Sequence, residues 1–269
     1  MPIDIIVCIK QVPDPEYFDK ITLDSATGTI RRTGIPVITN PADRHAVEEA
    51  LRIREEFGGS VTVLTMGPPQ ARKSIDEALA MGADRGALLC DQVFAGADTL
   101  STAYILSGGI NLIGRYDLIL CGNETVDGST GQVPAQLSEF LGLPHTTHAR
   151  RIDMIDDRRA VIERVVENGY LRVEMELPAV VAVLKRINTY RLPTVMGIME
   201  ASQKEVLELG CSACESLGMN SCDMGLEGSP TRVAEVFESP QRRRVEMLTG
   251  EPQEIAKQLV RRLHQLDAL

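Results

Sequence analysis

Short apolar runs recur along the first half of this chain, and each gives way to a helical pattern. The runs "IDIIVCI" (residues 3–9), "SVTVLTM" (60–66), "GALLC" (86–90) and "DLILC" (117–121) are aliphatic or β-branched almost throughout. A strand that is apolar on both sides must be covered on both sides, as a central strand of a parallel sheet is. Strands alternating with helices in this way predict an α/β domain with a parallel sheet covered on both faces over residues 1–148.

The helices have clear grammar. In "TNPADRHAVEEALRIREEFGG", Asn40 suits the N-cap, Pro41 the first helical position and Asp43 the positive end of the dipole. Ala46, Val47, Ala50 and Leu51 form one apolar stripe, and Gly58 stops the helix. The segment "ITLDSATGTIRRTG" reads as a hairpin ahead of it.

After His148 the texture changes to period-2 alternation, with Asp156-Asp157 and Asn168-Gly169 as turn signals, so antiparallel hairpins are expected over about 149–185. "PAVVAVL" is a buried strand again. From Asn188 the periodicity weakens, and residues 202–250 offer no core element. The expectation is an α/β domain over residues 1–201, then a C-terminal arm and helix, 202–269, that order against a partner. The closing helix carries Ile255, Leu259, Leu263 and Leu266 on one face.

Composition narrows the function. The 269 residues carry a net charge of −10, and the isoelectric point is about 5.0. The run Arg242 to Arg244 is flanked by acids, so the basic footprint of a nucleic-acid binder is missing. Aromatics make up 4% of the chain and Trp is absent, which leaves an aliphatic core. No apolar stretch approaches the roughly 20 residues of a membrane span, and the start lacks a secretory leader pattern. A cytoplasmic protein is expected.

Cys8, Cys90 and Cys121 fall at the ends of predicted strands, where Cys serves as a small buried hydrophobe. Cys211, Cys214 and Cys222 form a CxxC with one further thiol, but no fourth ligand stands at metal spacing, and no metal is expected.

The most informative stretch is "CGNETVDGSTGQVPAQLSEFLGLP", residues 121–144. A buried strand turns small, polar and glycine-rich, then becomes a helix with Pro134 in its first turn. Such a turn offers free N–H groups, the hydroxyls of Ser129 and Thr130, and a helix dipole to an anion, so it reads as a phosphate seat built without a lysine. It matches neither GxxxxGK[ST] nor GxGxxG. Asn40 to Asp43, Met66-Gly67 and Asp98-Thr99 should lie on the same carboxyl edge of the sheet, where open α/β sheets bind ligands. His45, His145 and His148 lack the neighbours of a catalytic constellation. A nucleotide seat with no reactive side chain favours chemistry that belongs to a cofactor.

These residues resemble the β subunit of electron-transfer flavoproteins. The resemblance runs through "IVCIKQVPD", "NPADRHAVEEALRI", "VTVLTMGPPQA", "ALAMGADRG", "DLILCGNETVDGSTGQV", "LPAVVAVLKRIN" and "RLPTVMGIMEA" in order. It implies an adenine-nucleotide-binding fold, α-hydrolase-like, paired with an α subunit that carries a redox FAD. It further implies that Cys8, Asn40, Pro41, Asp43, Met66, Gly122, Thr125, Asp127, Gly128, Ser129, Thr130, Gly131, Gln132 and Val133 line a site for AMP or a second FAD. In members that only relay electrons, AMP sits there structurally. In electron-bifurcating members FAD sits there and takes hydride from NADH, passing electrons to a low-potential acceptor such as ferredoxin or flavodoxin and to a dehydrogenase.

"FAGADTLSTA", residues 94–103, resembles the bifurcating wording, so Asp98, Thr99, Ser101 and Thr102 are expected to contact FAD. The resemblance places partner docking at Arg191, Val195 and Met199, with an acyl-CoA type of dehydrogenase as the expected partner. Two departures stand out. "GNETVDGST" replaces a wording close to GRQAIDGDT, putting Asn123 where a basic residue is usual, Glu124 for Gln and Thr125 for a small apolar residue. Val195 replaces the anchoring leucine, and "EASQK" keeps only Lys204 of a lysine-rich run.

Overall fold

The computed structural model describes residues 2–20, 22–24, 29–31, 34–154, 156, 158–234 and 247–266. The tip of the first predicted hairpin (25–28), Asp157 and the Arg242–Arg244 run lie outside them. Two compact units emerge, residues 1–234 and residues 235–269.

The first unit begins with β1 (Ile5–Cys8), β2 (Gln11–Pro13), β3 (Thr22–Asp24), β4 (Thr29–Arg31) and β5 (Val37–Thr39). Then come α1 (Pro41–Phe57), β6 (Val61–Met66), α2 (Arg72–Met81), β7 (Arg85–Leu89), α3 (Thr99–Ile113) and β8 (Leu118–Gly122). Next are α4 (Val133–Leu141), β9 (His145–Met154), β10 (Arg159–Val166), β11 (Gly169–Glu176) and β12 (Ala179–Val183). The unit closes with α5 (Val195–Ala201), β13 (Val206–Leu209) and α6 (Cys211–Glu215), and α7 (Pro252–Gln265) belongs to the second unit.

Nine strands form one sheet in the order β11-β10-β9-β12-β8-β1-β6-β7-β13. From β9 to β13 across that order the pairing is parallel, and β9-β10-β11 is antiparallel, as the alternation after His148 predicted. β3 and β4 pair antiparallel, and β2 pairs with β5.

Both faces are covered. Ile5, Val7, Val63, Leu118 and Leu120 pack under α1 and α2. Ile6, Cys8, Leu64, Leu89, Ile119 and Cys121 pack under α3, α4 and α6. Successive residues of one strand thus feed opposite cores, which is why the runs are apolar without alternation.

Residues 202–234 differ from the core-less arm expected of them. β13 adds to the sheet edge against β7, and Cys211 and Cys214 of α6 are buried beneath α3. Four-residue and five-residue elements are too short to show periodicity. Tertiary bonds hold them instead: Cys211 N–H donates to Asp91 at 2.9 Å, and Leu226 N–H to the Ala95 carbonyl at 2.9 Å.

Candidate functional site

The chain leaves β1 towards one side of the sheet and returns to its other side with β8, so strand order reverses between these two neighbours. Crevices of this kind bind ligands at the carboxyl ends of the strands. A cavity of about 310 Å³ opens there.

Asp43 is its keystone. At 4% exposure, its Oδ2 accepts the Lys10 N–H at 2.7 Å. Its Oδ1 accepts the Asn40 side-chain N–H at 3.0 Å and the Gly122 N–H at 3.2 Å. Burial pushes the carboxyl up to about 7, against the pull of these donors and of the Lys10 charge. Gly122 has no room for a side chain, because a Cβ would strike Asp43 Oδ1 and sit 2.8 Å from the Ala42 Cβ. Asn40 takes the N-cap position of α1, yet its carboxamide reaches away from the helix. It donates to the Glu124 carbonyl at 3.0 Å and accepts the Val126 N–H at 3.2 Å, fixing the loop after β8.

That loop divides its duties. Thr125 gathers the first part: its carbonyl accepts the Ser129 N–H at 2.8 Å and the Ser129 hydroxyl at 3.2 Å, and its Oγ1 accepts the Gly128 N–H at 3.4 Å. Ser129 and Gly131 take positive φ angles of 49° and 62°, bending the chain sharply in the way anion-binding turns do. The N–H groups of Thr130, Gly131 and Gln132 have no hydrogen-bond partner among the described residues, and α4 begins directly after them.

The reading of a seat without a lysine is corrected here. Lys10, just past β1, lines the same cavity, and its Nζ lies 2.8 Å from Asp127 Oδ2. Although burial opposes it, the Lys10 pair holds the Asp127 carboxyl below the usual range. Lys10 sits 117 residues from Asp127, so no local motif could announce the pairing. The rule that ligands bind at strand carboxyl ends was the available signal.

The adjoining wall is the start of α3. Asp98 caps it, accepting the N–H of Leu100 at 3.0 Å and of Ser101 at 3.1 Å, while Oδ2 accepts the Thr231 N–H at 2.9 Å. Burial works against these amides, yet the carboxyl stays below its usual range. Thr99 Oγ1 donates to Gln132 Oε1 at 2.9 Å, linking the two walls.

Of the residues expected at the site, Cys8, Asp43, Met66, Asp98, Thr99, Thr102, Gly122, Thr125, Gly128, Thr130, Gly131, Gln132 and Val133 line the cavity. The lining does not include Asn40, Pro41, Ser101, Asp127 or Ser129. Asn40 and Asp127 brace it, Pro41 opens α1, Ser129 folds onto Thr125, and Ser101 donates to the Asp223 carbonyl beneath α3 at 3.3 Å. The lining adds Ile9, Lys10, Ala97, Leu106, Cys121, Asn123, Glu124 and Pro134. Asn123 is also tied backward, accepting the N–H of His148 at 2.9 Å, a residue with φ 59°.

The residues expected to dock a partner differ from one another. Val195 and Met199 are 76% and 63% exposed on α5. Arg191 instead turns inward to Glu48, at 2.8 Å, and to Glu55. These two carboxylates raise its pKa further. Lys204 is engaged too, donating to the Leu79 carbonyl near the end of α2 at 3.0 Å and to the Ala83 carbonyl just beyond it at 2.7 Å. Among the described residues no His/Cys/Asp/Glu cluster could hold a metal. Cys211 Sγ contacts Met224 Sδ at 3.8 Å, Cys214 is buried, and Cys222 is exposed.

Residues 27–212 match the electron transfer flavoprotein domain. An electron transfer flavoprotein subunit beta from Thermoanaerobacterium thermosaccharolyticum is 41% identical over 97% of this chain and 98% of its own length. The chain belongs to the electron transfer flavoprotein β-subunit family. It is similarly close to the caffeyl-CoA reductase-Etf complex subunit CarD of Acetobacterium woodii, 40% identical over 96% of this chain and 97% of that one. The acryloyl-CoA reductase electron transfer subunit gamma of Anaerotignum propionicum is 37% identical over 97% and 98%. As an electron transfer flavoprotein β subunit, the chain is an electron-transport component of a nucleotide-binding flavoprotein family whose β subunits pair with α subunits and dehydrogenases. Among the described residues no helix is long and apolar enough to cross a membrane.

Proposed function

We propose that the cavity takes FAD, and that this electron transfer flavoprotein β subunit is of the bifurcating type. One observation carries the reading: two helix N-termini, those of α3 and α4, open side by side on one cavity, joined by the Thr99–Gln132 hydrogen bond. A single phosphate needs one such seat, whereas the diphosphate and ribityl chain of FAD offer partners to both. The free amides of residues 130–132 and the Lys10 ammonium supply positive complement on one wall, and Thr99 and Thr102 supply hydroxyls on the other. A bound flavin supplies hydride acceptance from NADH and one-electron transfer, chemistry that side chains lack. The chain's part is to orient it and set its electrostatics. Glu124, in the lining, places a negative charge where relatives in the resemblance carry a neutral amide, which disfavours added negative charge on whatever is bound.

AMP is the second reading, and the cavity volume favours it. About 310 Å³ is at the small end of the ligand-pocket range of roughly 300–1,000 Å³. FAD therefore seats its ADP half in the cavity and extends the rest outward.

The apolar face of α5 fits a dehydrogenase that docks by hydrophobic contact, since Arg191 and Lys204 are engaged within the chain. An acyl-CoA type of partner is our proposal, with a ferredoxin or flavodoxin as the low-potential acceptor. In α7, Leu259 and Val260 are about half exposed, at 48% and 47%, and suit docking on the α subunit.

Nucleotide content tests the proposal. The chain co-purified with its α subunit is denatured and the released nucleotides are separated by chromatography. Two FAD per heterodimer and bleaching of the visible flavin bands by NADH are expected. One FAD with one AMP transfers the assignment to the relay type.

A further inference from the structure

Cys8 ends β1, and Cys121 is its register partner on β8. In parallel strands, register partners point to the same side, and both residues belong to the core under α3 and α4. Both line the cavity, at 8% and 5% exposure. The adjacent Cys8 thiol, burial and the nearby Asp43 carboxyl together push the Cys121 thiol up. Neighbouring strands lie roughly 4.8 Å apart, inside the Cα separation of about 4.4–6.8 Å that a disulfide spans.

The two thiols also sit at the roots of the clamp. Two residues after Cys8, Lys10 gives its N–H to Asp43 and its ammonium to Asp127. One residue after Cys121, Gly122 gives its N–H to Asp43. No Cβ fits at Gly122, so the strand end has no slack there. A covalent bridge between the sulfurs locks the strand ends at the point where the phosphate loop departs and alters the cavity wall that both sulfurs line.

We propose that Cys8 and Cys121 form an oxidation site: when the nucleotide is absent, a peroxide closes them into a disulfide that lowers nucleotide affinity. Two S–H bonds break and one S–S bond forms. The two electrons and two protons pass to the peroxide, whose O–O bond breaks to give two waters. A bound nucleotide covers the sulfurs, so the occupied protein resists. This rests on the cavity being the nucleotide site.

The test uses the full chain with its α subunit, stripped of the β-site nucleotide and treated with hydrogen peroxide. Peptide mapping should find a Cys8–Cys121 bridge that added AMP or FAD suppresses. Affinity for AMP and FAD, by calorimetry, should fall on the order of tenfold, within the usual range of coupling between linked events, and dithiothreitol should restore it. In Cys8→Ser and in Cys121→Ser, affinity should be the same before and after peroxide, whereas Cys211→Ser/Cys214→Ser keeps the full response. Absence of the bridged peptide, or a bridge that leaves affinity unchanged, overturns the proposal. If the reduced protein binds neither nucleotide, the proposed function falls, and the mapping still decides whether the bridge forms.

Discussion

At the scale of single residues, the site turns on one carboxyl whose charge is costly. In the unfolded chain Asp43 loses its proton near 3.8, and in the fold it keeps it up to about 7. Between those values the folded state holds more protons, so rising pH destabilises it. The full span of about three pH units corresponds to about 4 kcal/mol at most, since each unit is worth about 1.4 kcal/mol. The contribution is intact below pH 4 and spent by pH 7. Denaturant melts across that window should show wild-type stability falling relative to Asp43→Asn, which has no proton to lose. Parallel pH profiles for the two proteins would exclude Asp43 as the titrating group. The same carboxyl explains why Gly122 is a glycine, a requirement that "LILCGN" alone does not disclose.

At the scale of elements, α1 does two jobs. Its N-terminus carries Asn40 and Asp43 into the site, while its flank carries Glu48 and Glu55, which seize Arg191 and hold the chain ahead of α5. Asn188 adds bonds to the His45 carbonyl at 3.0 Å and to Glu49 at 2.9 Å. This anchoring lets α5 keep Val195, Met196, Ile198 and Met199 exposed without collapsing onto the sheet. Arg191→Ala leaves Glu48, 6% exposed, without its cation. Loss of about 2 kcal/mol is expected, below the range for fully buried pairs because the guanidinium is partly solvated. Hydrogen exchange should rise in residues 188–201, and an unchanged pattern there would show that the ion pairs do not anchor α5. By contrast, Val195→Asp with Met199→Asp should leave stability within about 0.5 kcal/mol while weakening dehydrogenase capture in pull-downs.

At the scale of the molecule, the cavity couples three distant stretches: the end of β1, the loop after β8 and the start of α3. A ligand that joins them stabilises the folded state by mass action. Nucleotide at a hundredfold its dissociation constant should add about 2.7 kcal/mol, raising the melting temperature by several degrees. Gly131→Pro removes a free amide and the positive φ, and should abolish most of that shift. A shift retained in full would mean that the amides of residues 130–132 do not hold the phosphates. Residues 202–234 share in this architecture, because Ser229 Oγ accepts the Asp98 N–H at 2.8 Å and so steadies the wall of the cavity.

Local chemistry wrote much of this into the chain. Apolar runs without alternation specify strands buried on both faces, Asn40-Pro41 and Gly58 bound a helix, and "DGSTGQVP" sets free amides before another, because each of these depends on neighbours within a few residues. The fold alone decided that Lys10 would meet Asp127, that Arg191 and Lys204 would turn inward, that Ser101 would face away from the cavity, and that "VLEL" would become an edge strand. Those outcomes depend on partners up to 143 residues apart, and a pairing across that distance has no period or cap to betray it.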